Sequence, residues 1–335
     1  MKLTSKILNW YKFNQRPLPW RESKNPYHIW ISEIILQQTR VAQGTSYYLN
    51  FILRFSNVNE LAQAQIDDVM QHWKGLGYYS RAINLHKAAE QIVHDFNGKF
   101  PTTSKELVKL SGIGPYTAAA IASICFGEEI AAIDGNYYRV FSRIFADDFD
   151  ISSPKAYKYF KELTQDLVDE NHPGDFNQAV MDLGATICTP KNPQCSICPI
   201  QAECLAFQTG KVNEFPVKIK RTKVLQFSLK YYLVKNGNQF LIRRRNKDSI
   251  WKMLYEFPTE IPLEWENETI NHKKVSHKLT HRELKIDFYK VEIKDKNAFE
   301  EFARQKHFEI VDKKSSHKKS FPKPLEKIID LWIEN

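Results

Sequence analysis

The chain has 335 residues, enough for two domains with sizeable cores. Its 48 Lys+Arg against 39 Asp+Glu leave a net charge of +9, which favours a polyanionic partner. The N-terminal stretch has neither a long apolar core nor a small-residue cleavage site, and no apolar run approaches a membrane span; both argue against export and membrane insertion and for a cytoplasmic protein. Residues 1–210 read as mostly helical. Amphipathic segments fall at 2–13, 27–55, 66–72, 80–96, 104–110, 115–126, 136–145, 154–171 and 176–187, punctuated by Gly75, Gly77, Gly98, Pro101, Gly112, Gly114 and Pro173.

The first segment with chemical interest is Ser32-Glu33-Ile34-Ile35-Leu36-Gln37-Gln38-Thr39. On one continuous helix, Trp30, Ile34, Gln38 and Val41 share a face and Glu33 sits at its edge. A carboxyl there has its pKa raised, which suits a general acid; the plain alternative is a solvated glutamate. Further on, Leu110-Ser111-Gly112-Ile113-Gly114-Pro115-Tyr116 reads as a helix, a tight glycine turn and a second helix. Amides at such a helix start can hold a phosphate of a nucleic-acid backbone, although an ordinary helix connection has the same look. Asp134, in Ala132-Ile133-Asp134-Gly135-Asn136, stands at the start of the next helix, where it is both an N-cap and a carboxylate kept ionised. An acid and an anion of this kind are the pair used to break glycosidic bonds, here extended to a nucleoside.

Four of the five cysteines, Cys188, Cys195, Cys198 and Cys204, form a C-x6-C-x2-C-x5-C run broken by Pro190, Pro193 and Pro199. The spacing suits one [4Fe–4S] cluster; a zinc knuckle or a disulfide pair is the alternative. The fifth, Cys125, reads as a small apolar core residue. After the run the texture changes. Residues 211–225 form a basic linker containing Pro216. Strands are then expected at 227–234 and 239–245, joined by Asn236-Gly237-Asn238, with another at 284–291 and a closing helix at 324–333. Residues 226–335 thus form a smaller α+β domain.

Taken together, the glycine hairpin, Asp134 and the cysteine run resemble the endonuclease III-like helix–hairpin–helix DNA glycosylases. Leu18-Pro19-Trp20-Arg21, the Glu33 segment, Gly75-Leu76-Gly77-Tyr78-Tyr79, Asn84-Leu85-His86, Asp134-Gly135-Asn136, Phe176-Asn177-Gln178-Ala179 and Met181-Asp182-Leu183-Gly184 narrow the resemblance to adenine DNA glycosylases of the MutY family. The resemblance implies a multidomain fold: an all-α helix–hairpin–helix glycosylase domain with an iron–sulfur loop, then an α+β Nudix-like domain. It implies a monomeric, monofunctional enzyme that flips adenine out of double-stranded DNA where it is mispaired with 8-oxoguanine or guanine, and hydrolyses its N-glycosidic bond. Glu33 matches the acid that protonates the base, Asp134 the carboxylate that meets the sugar cation, and Asn136 and Tyr116 their supporters. Bifunctional relatives carry a lysine at the Tyr116 position. Arg21, Leu36 and Gln178 match the adenine pocket; Gln38, Thr39, Leu76 and Tyr78 match the wedge beside 8-oxoguanine; Gly112 and Gly114 match the DNA-backbone hairpin. The second domain lacks the R-E-x-x-E-E helix of Nudix hydrolases and is expected to bind without hydrolysing. Its Thr280 and His281, in His277-Lys278-Leu279-Thr280-His281, match an 8-oxoguanine-reading loop that is commonly Phe-Ser-His; Leu279 and Thr280 replace the first two residues. A thymine or uracil mismatch glycosylase, an endonuclease III-like lyase and an inactive lesion-binding protein are the competing functions.

Overall fold

The computed structural model describes residues 2–219, 225–245, 250–279 and 282–333. By contacts the chain forms two compact units: residues 1–64 with 84–220, and residues 65–83 with 221–335.

The helices run α1 (Leu3–Asn14), α2 (Pro26–Leu36), α3 (Val41–Arg54), α4 (Val58–Gln63), α5 (Ile66–His72), α6 (Ser80–Phe96), α7 (Ser104–Leu107), α8 (Pro115–Phe126), α9 (Gly135–Phe145), α10 (Ala156–Thr164), α11 (Pro173–Thr186) and α12 (Leu205–Gln208). All but α5 contribute to the first unit. Its core joins Ile7 and Tyr11 of α1, Tyr137, Val140, Phe141 and Ile144 of α9, Phe160 of α10, and Phe176, Val180 and Leu183 of α11. The α9 positions follow the i, i+3, i+4, i+7 rule of a helix that buries one face.

Two helices are buried almost all round. In α2, Asn25 caps the start by accepting from the Tyr27 N–H (2.9 Å), Pro26 fixes the first turn, and Ile29, Trp30, Ile31, Ile34 and Ile35 are buried. In α8, Pro115 opens the helix, Thr117 to Ile124 are buried, and Gly127 at φ +73° closes it in the left-handed conformation that glycine adopts without strain. Ala118, Ala119, Ala120 and Ala122 keep α8 thin enough to run beside both α2 and α11. At Gly174 in α11 a Cβ would lie 2.7 Å from the Ile124 Cα, so the two backbones touch there.

One expectation fails locally. The apolar pattern over 27–55 reads as one segment, but the helix ends at Leu36 and restarts at Val41, with Gln38 between them at φ +57°. Gln38 therefore leaves the face shared by Trp30 and Ile34 and is exposed. The helix expected over 104–110 stops at Leu107, and Gly112 turns the chain at φ +74° before α8. Beyond the cysteine run, Phe215 is buried and Arg143 donates to the carbonyls of Val212 (3.0 Å) and Phe215 (3.1 Å), so this part of the 211–225 stretch is held down.

The second unit is a six-stranded sheet of β1 (Leu225–Asn236), β2 (Gln239–Arg244), β3 (Tyr255–Glu256), β4 (Thr269–Lys278), β5 (Arg282–Glu292) and β6 (Glu309–Asp312), in the order β3-β2-β1-β5-β4, with β6 also on β2. The β1–β5 pair is parallel and the others are antiparallel. Period-two alternation puts Tyr231 and Leu233 on one face and Tyr232 and Val234 on the other. The first face lies under Leu325, Ile328, Ile329 and Trp332 of the C-terminal helix Lys323–Trp332; the second lies under Phe299 and Phe302 of the helix Lys296–Gln305. β4 carries mostly exposed, polar side chains, which hides the alternation by which a strand is recognised. Residues 65–83 join this unit through Asp67, paired with Arg244, and Lys74, 2.5 Å from Glu326.

Candidate active site

A cleft of about 350 Å³ in the first unit is lined by Arg21, Glu33, Leu36, Gln38, Thr39, Tyr116, Asp134, Asn136 and Gln178, nine residues singled out from the sequence. Trp20, Met181 and Arg16 also line it, and the sequence reading did not assign them a role. Gly112 and Gly114 lie outside this lining. At Gly112 a Cβ would come within 2.6 Å of the Asn84 Cβ, whereas at Gly114 it would meet open space. Leu76 and Tyr78 belong to the second unit, where Tyr78 is exposed at φ +47° and 5.8 Å from the Arg81 guanidinium. Thr280 and His281 lie outside the described residues.

Glu33 comes from the last turns of α2 and Tyr116 from the first turn of α8. The Tyr116 hydroxyl donates to the Glu33 Oε2 at 2.7 Å and sits 3.7 Å from the Met181 sulfur. Burial raises the Glu33 pKa to about 7, and the charge of Asp134 adds to this; the Tyr116 hydrogen bond and Arg21 pull the other way. Glu33 therefore titrates near neutrality, where an acid gives up its proton most effectively.

Asp134 is the N-cap of α9 and accepts from the Tyr137 N–H at 2.8 Å and from the Asn136 Nδ2 at 2.7 Å. Burial raises its pKa, while these donors and Arg139 favour the anion. Arg139, one turn on, donates to the Asn136 Oδ1 (2.7 Å), the Gly184 carbonyl (2.8 Å) and the Cys188 carbonyl (2.7 Å). The next turn brings Arg143, whose Nη1 lies 3.3 Å from the Cys188 sulfur and 2.8 Å from the Thr189 carbonyl. Neither arginine stood out in the sequence, though their i, i+4 spacing on an otherwise apolar-faced helix is the available signal.

Cys188, Cys195, Cys198 and Cys204 line one small cavity with Val140, Ile144, Ile187, Ile200 and Phe207. Among the described residues no three His, Cys, Asp or Glu side chains form a site for a single metal ion. Burial pushes the Cys198 thiol up to about 12 and raises those of Cys195 and Cys204. Four soft donors around one apolar pocket, with Arg143 beside the first sulfur, fit an iron–sulfur cluster with four thiolate ligands. Cys125 is a partly buried thiol outside this group, pushed up to about 12 by burial.

The chain is similar to known proteins. Residues 31–166 match the HhH-GPD superfamily base excision DNA repair proteins, residues 230–331 the NUDIX domain, and residues 188–204 the iron–sulfur binding domain of endonuclease III, so this loop carries a [4Fe–4S] cluster. The chain is 38% identical over 340 residues to an adenine DNA glycosylase of Buchnera aphidicola subsp. Schizaphis graminum, covering 97% of each chain. It is 43% identical over 211 residues to the adenine DNA glycosylase of Homo sapiens, covering 60% of this chain and 39% of the human protein. Among solved structures, a thermostable thymine-DNA glycosylase aligns with TM-score 0.57 and 29% identity over 62% of this chain and 95% of its own. An endonuclease III–DNA complex shares the fold at TM-score 0.53 and 20% identity, over 62% of this chain and 94% of its own. Protein isolated anaerobically is expected to hold about four irons per chain with a broad visible absorbance; elemental analysis giving stoichiometric zinc and no iron would refute the cluster. With its helical repair domain, cluster loop and NUDIX domain all matched, this chain belongs to the adenine DNA glycosylase family.

Proposed function

We propose that the protein is a monomeric, monofunctional glycosylase that removes adenine paired with 8-oxoguanine or guanine in double-stranded DNA. The observation that carries this reading is the pairing, in one cleft, of a protonatable carboxyl and a capped carboxylate: Glu33 on the Tyr116 hydroxyl, and Asp134 on the α9 amides. Adenine is a poor leaving group until its N7 is protonated. Glu33 supplies that proton, and Tyr116 fixes the carboxyl while it does so. The C1′–N9 bond then breaks, its electron pair leaves with the base, and positive charge develops on the sugar. Asp134 faces that charge as an anion, held in place by Asn136 and the Tyr137 amide. Water adds to C1′, and its proton passes to the carboxylate pair. Arg21, Leu36 and Gln178 line the cleft where the base edge would lie. Tyr116 cannot form a Schiff base, which supports hydrolysis without strand cleavage.

Cys188, Cys195, Cys198 and Cys204 would hold the cluster, whose iron–thiolate bonds would tie together the loop from α11 to α12. Gln38, Thr39, Leu76 and Tyr78 enter the duplex beside the opposite base, Gly112 and Gly114 offer backbone to a phosphate, and Thr280 with His281 reads 8-oxoguanine. These assignments rest on the family resemblance of their motifs.

The test is single-turnover base release from duplexes carrying A opposite 8-oxoguanine, A opposite G, and T or U opposite G. Free adenine should be released from the first two, faster from the 8-oxoguanine duplex, with intact abasic strands as product. Release of thymine or uracil with adenine untouched would replace this reading by that of a mismatch glycosylase acting on pyrimidines.

A further inference from the structure

Asp182 on α11 is fully buried, yet it carries a charge and is met by two arginines. Arg21 Nη1 and Nη2 donate to its two oxygens at 2.7 and 3.0 Å, the fork-to-fork geometry that fixes a guanidinium in one plane. Arg16 Nε donates at 2.7 Å and its backbone N–H at 3.1 Å. The Arg21 Nη1 also donates to the Arg16 carbonyl at 3.2 Å. Among the described residues this leaves the Arg21 Nε–H and one Nη2–H uncommitted. The Tyr11 ring lies beneath, 5.7 Å from the Arg21 guanidinium carbon. Arg21 thus reaches the cleft wall with its orientation set from behind. The pairing spans 161 residues of sequence, so it is a product of the fold alone.

We propose that Asp182 is a positioning residue for base removal: it locks the Arg21 guanidinium in the wall of the cleft and neutralises its charge beside Glu33. The inference rests on the reading of Glu33 as the acid. The groups acting most strongly on Glu33 are Tyr116 from α8, Asp134 from the start of α9, and Arg21; the Cys125 thiol near the end of α8 also feels it and is neutral, its pKa raised by burial. Of these Arg21 is the cation, and it favours the ionised, useless form. An uncompensated guanidinium would strip Glu33 of its proton at neutral pH; Asp182 prevents this, and Arg16 limits how far.

The two flanking charges must then act in opposite directions. In Asp182→Asn the midpoint of Glu33 should fall by roughly one pH unit, and in Arg16→Gln it should rise by a smaller amount. The midpoint is read without substrate, from the carboxyl band in infrared difference spectra against the corresponding Glu33→Gln background. The alkaline limb of the single-turnover rate should move with it, making Asp182→Asn about tenfold slower at pH 7.5. Mere loosening of the cleft lowers the Glu33 midpoint in both variants, because water enters. A downward or absent shift in Arg16→Gln therefore overturns the inference, even where Asp182→Asn fails to fold. A protein with these shifts but no adenine release keeps the charge relay and loses the proposed function; adenine release with unmoved midpoints does the reverse.

Discussion

Glu33→Gln should lose at least about a hundredfold in the single-turnover rate of adenine release, because an amide cannot supply the proton that makes adenine leave. Binding to the mismatched duplex should change little, since glutamine has the same shape and can still accept from Tyr116. The parent protein should show an alkaline limb centred near pH 7, with the rate falling tenfold per unit above it, as expected for an acid raised to about 7. The variant's residual activity should lack that limb. The same substitution should stabilise the fold. A carboxyl whose folded pKa lies above its ordinary 4.5 holds its proton more tightly in the native state, so stability falls as pH rises from about 4.5 to about 7. The penalty is absent below that window and complete above it, at most about 3 kcal/mol. Thermal unfolding should accordingly show Glu33→Gln gaining Tm at pH 8 and almost nothing at pH 4. Near-normal excision by the variant removes Glu33 from the acid role; an equal Tm at both pH values removes the burial argument.

Asp134→Asn should also be close to inactive, slower by about a hundred- to a thousandfold, the usual range for deleting one preorganised electrostatic contact to a developing charge. This substitution separates two roles that share one side chain. Asparagine is as good an N-cap as aspartate, so the bond from the Tyr137 amide and the start of α9 should survive, and near-ultraviolet circular dichroism should be unchanged. Glu33 would feel one negative charge less, so its midpoint should fall. A variant that keeps about half the parent rate would show that Asp134 does no more than cap a helix.

The residues of the candidate site could be singled out because each is unusual where it stands. Glu33 is a charge at the edge of an apolar face, Asp134 follows an apolar run, and four of five cysteines fall within seventeen residues. What surrounds them was not legible. The Asp182 clamp joins residues more than 160 apart, and nothing in the local pattern of Phe176 to Gly184 says which cation Asp182 meets. The interruption of the second helix was missed for a related reason. Ile34, Ile35, Leu36 and Val41 maintain an apolar pattern across residues that leave the helix, and the left-handed turn at Gln38 has no glycine to announce it. In the second unit, β5 showed itself by alternation and β1 and β2 by short apolar runs flanking the Asn236-Gly237-Asn238 turn, whereas exposed β4 did neither.

Gly174 and Gly184 lie ten residues apart on α11, about 15 Å along its axis. A methyl at the first would collide with the Ile124 backbone at the end of Tyr116's helix; one at the second would collide with Asn136 at 2.6 Å. The helix is in effect a ruler with two bare marks, one touching the helix whose Tyr116 bonds the proposed acid and the other touching Asn136, which bonds the proposed anion. A ruler of this kind has no compressible parts. Side chains elsewhere can change rotamer to absorb a substitution, but at Gly174 backbone meets backbone, and at Gly184 the neighbour is the Cβ of Asn136, which no rotamer change moves away. The spacing of the two carboxyls proposed as catalytic is therefore guarded by positions that carry no chemistry, and an insertion in α11 or a carbon added at Gly174 or Gly184 is expected to reach the proposed reaction as a change in distance.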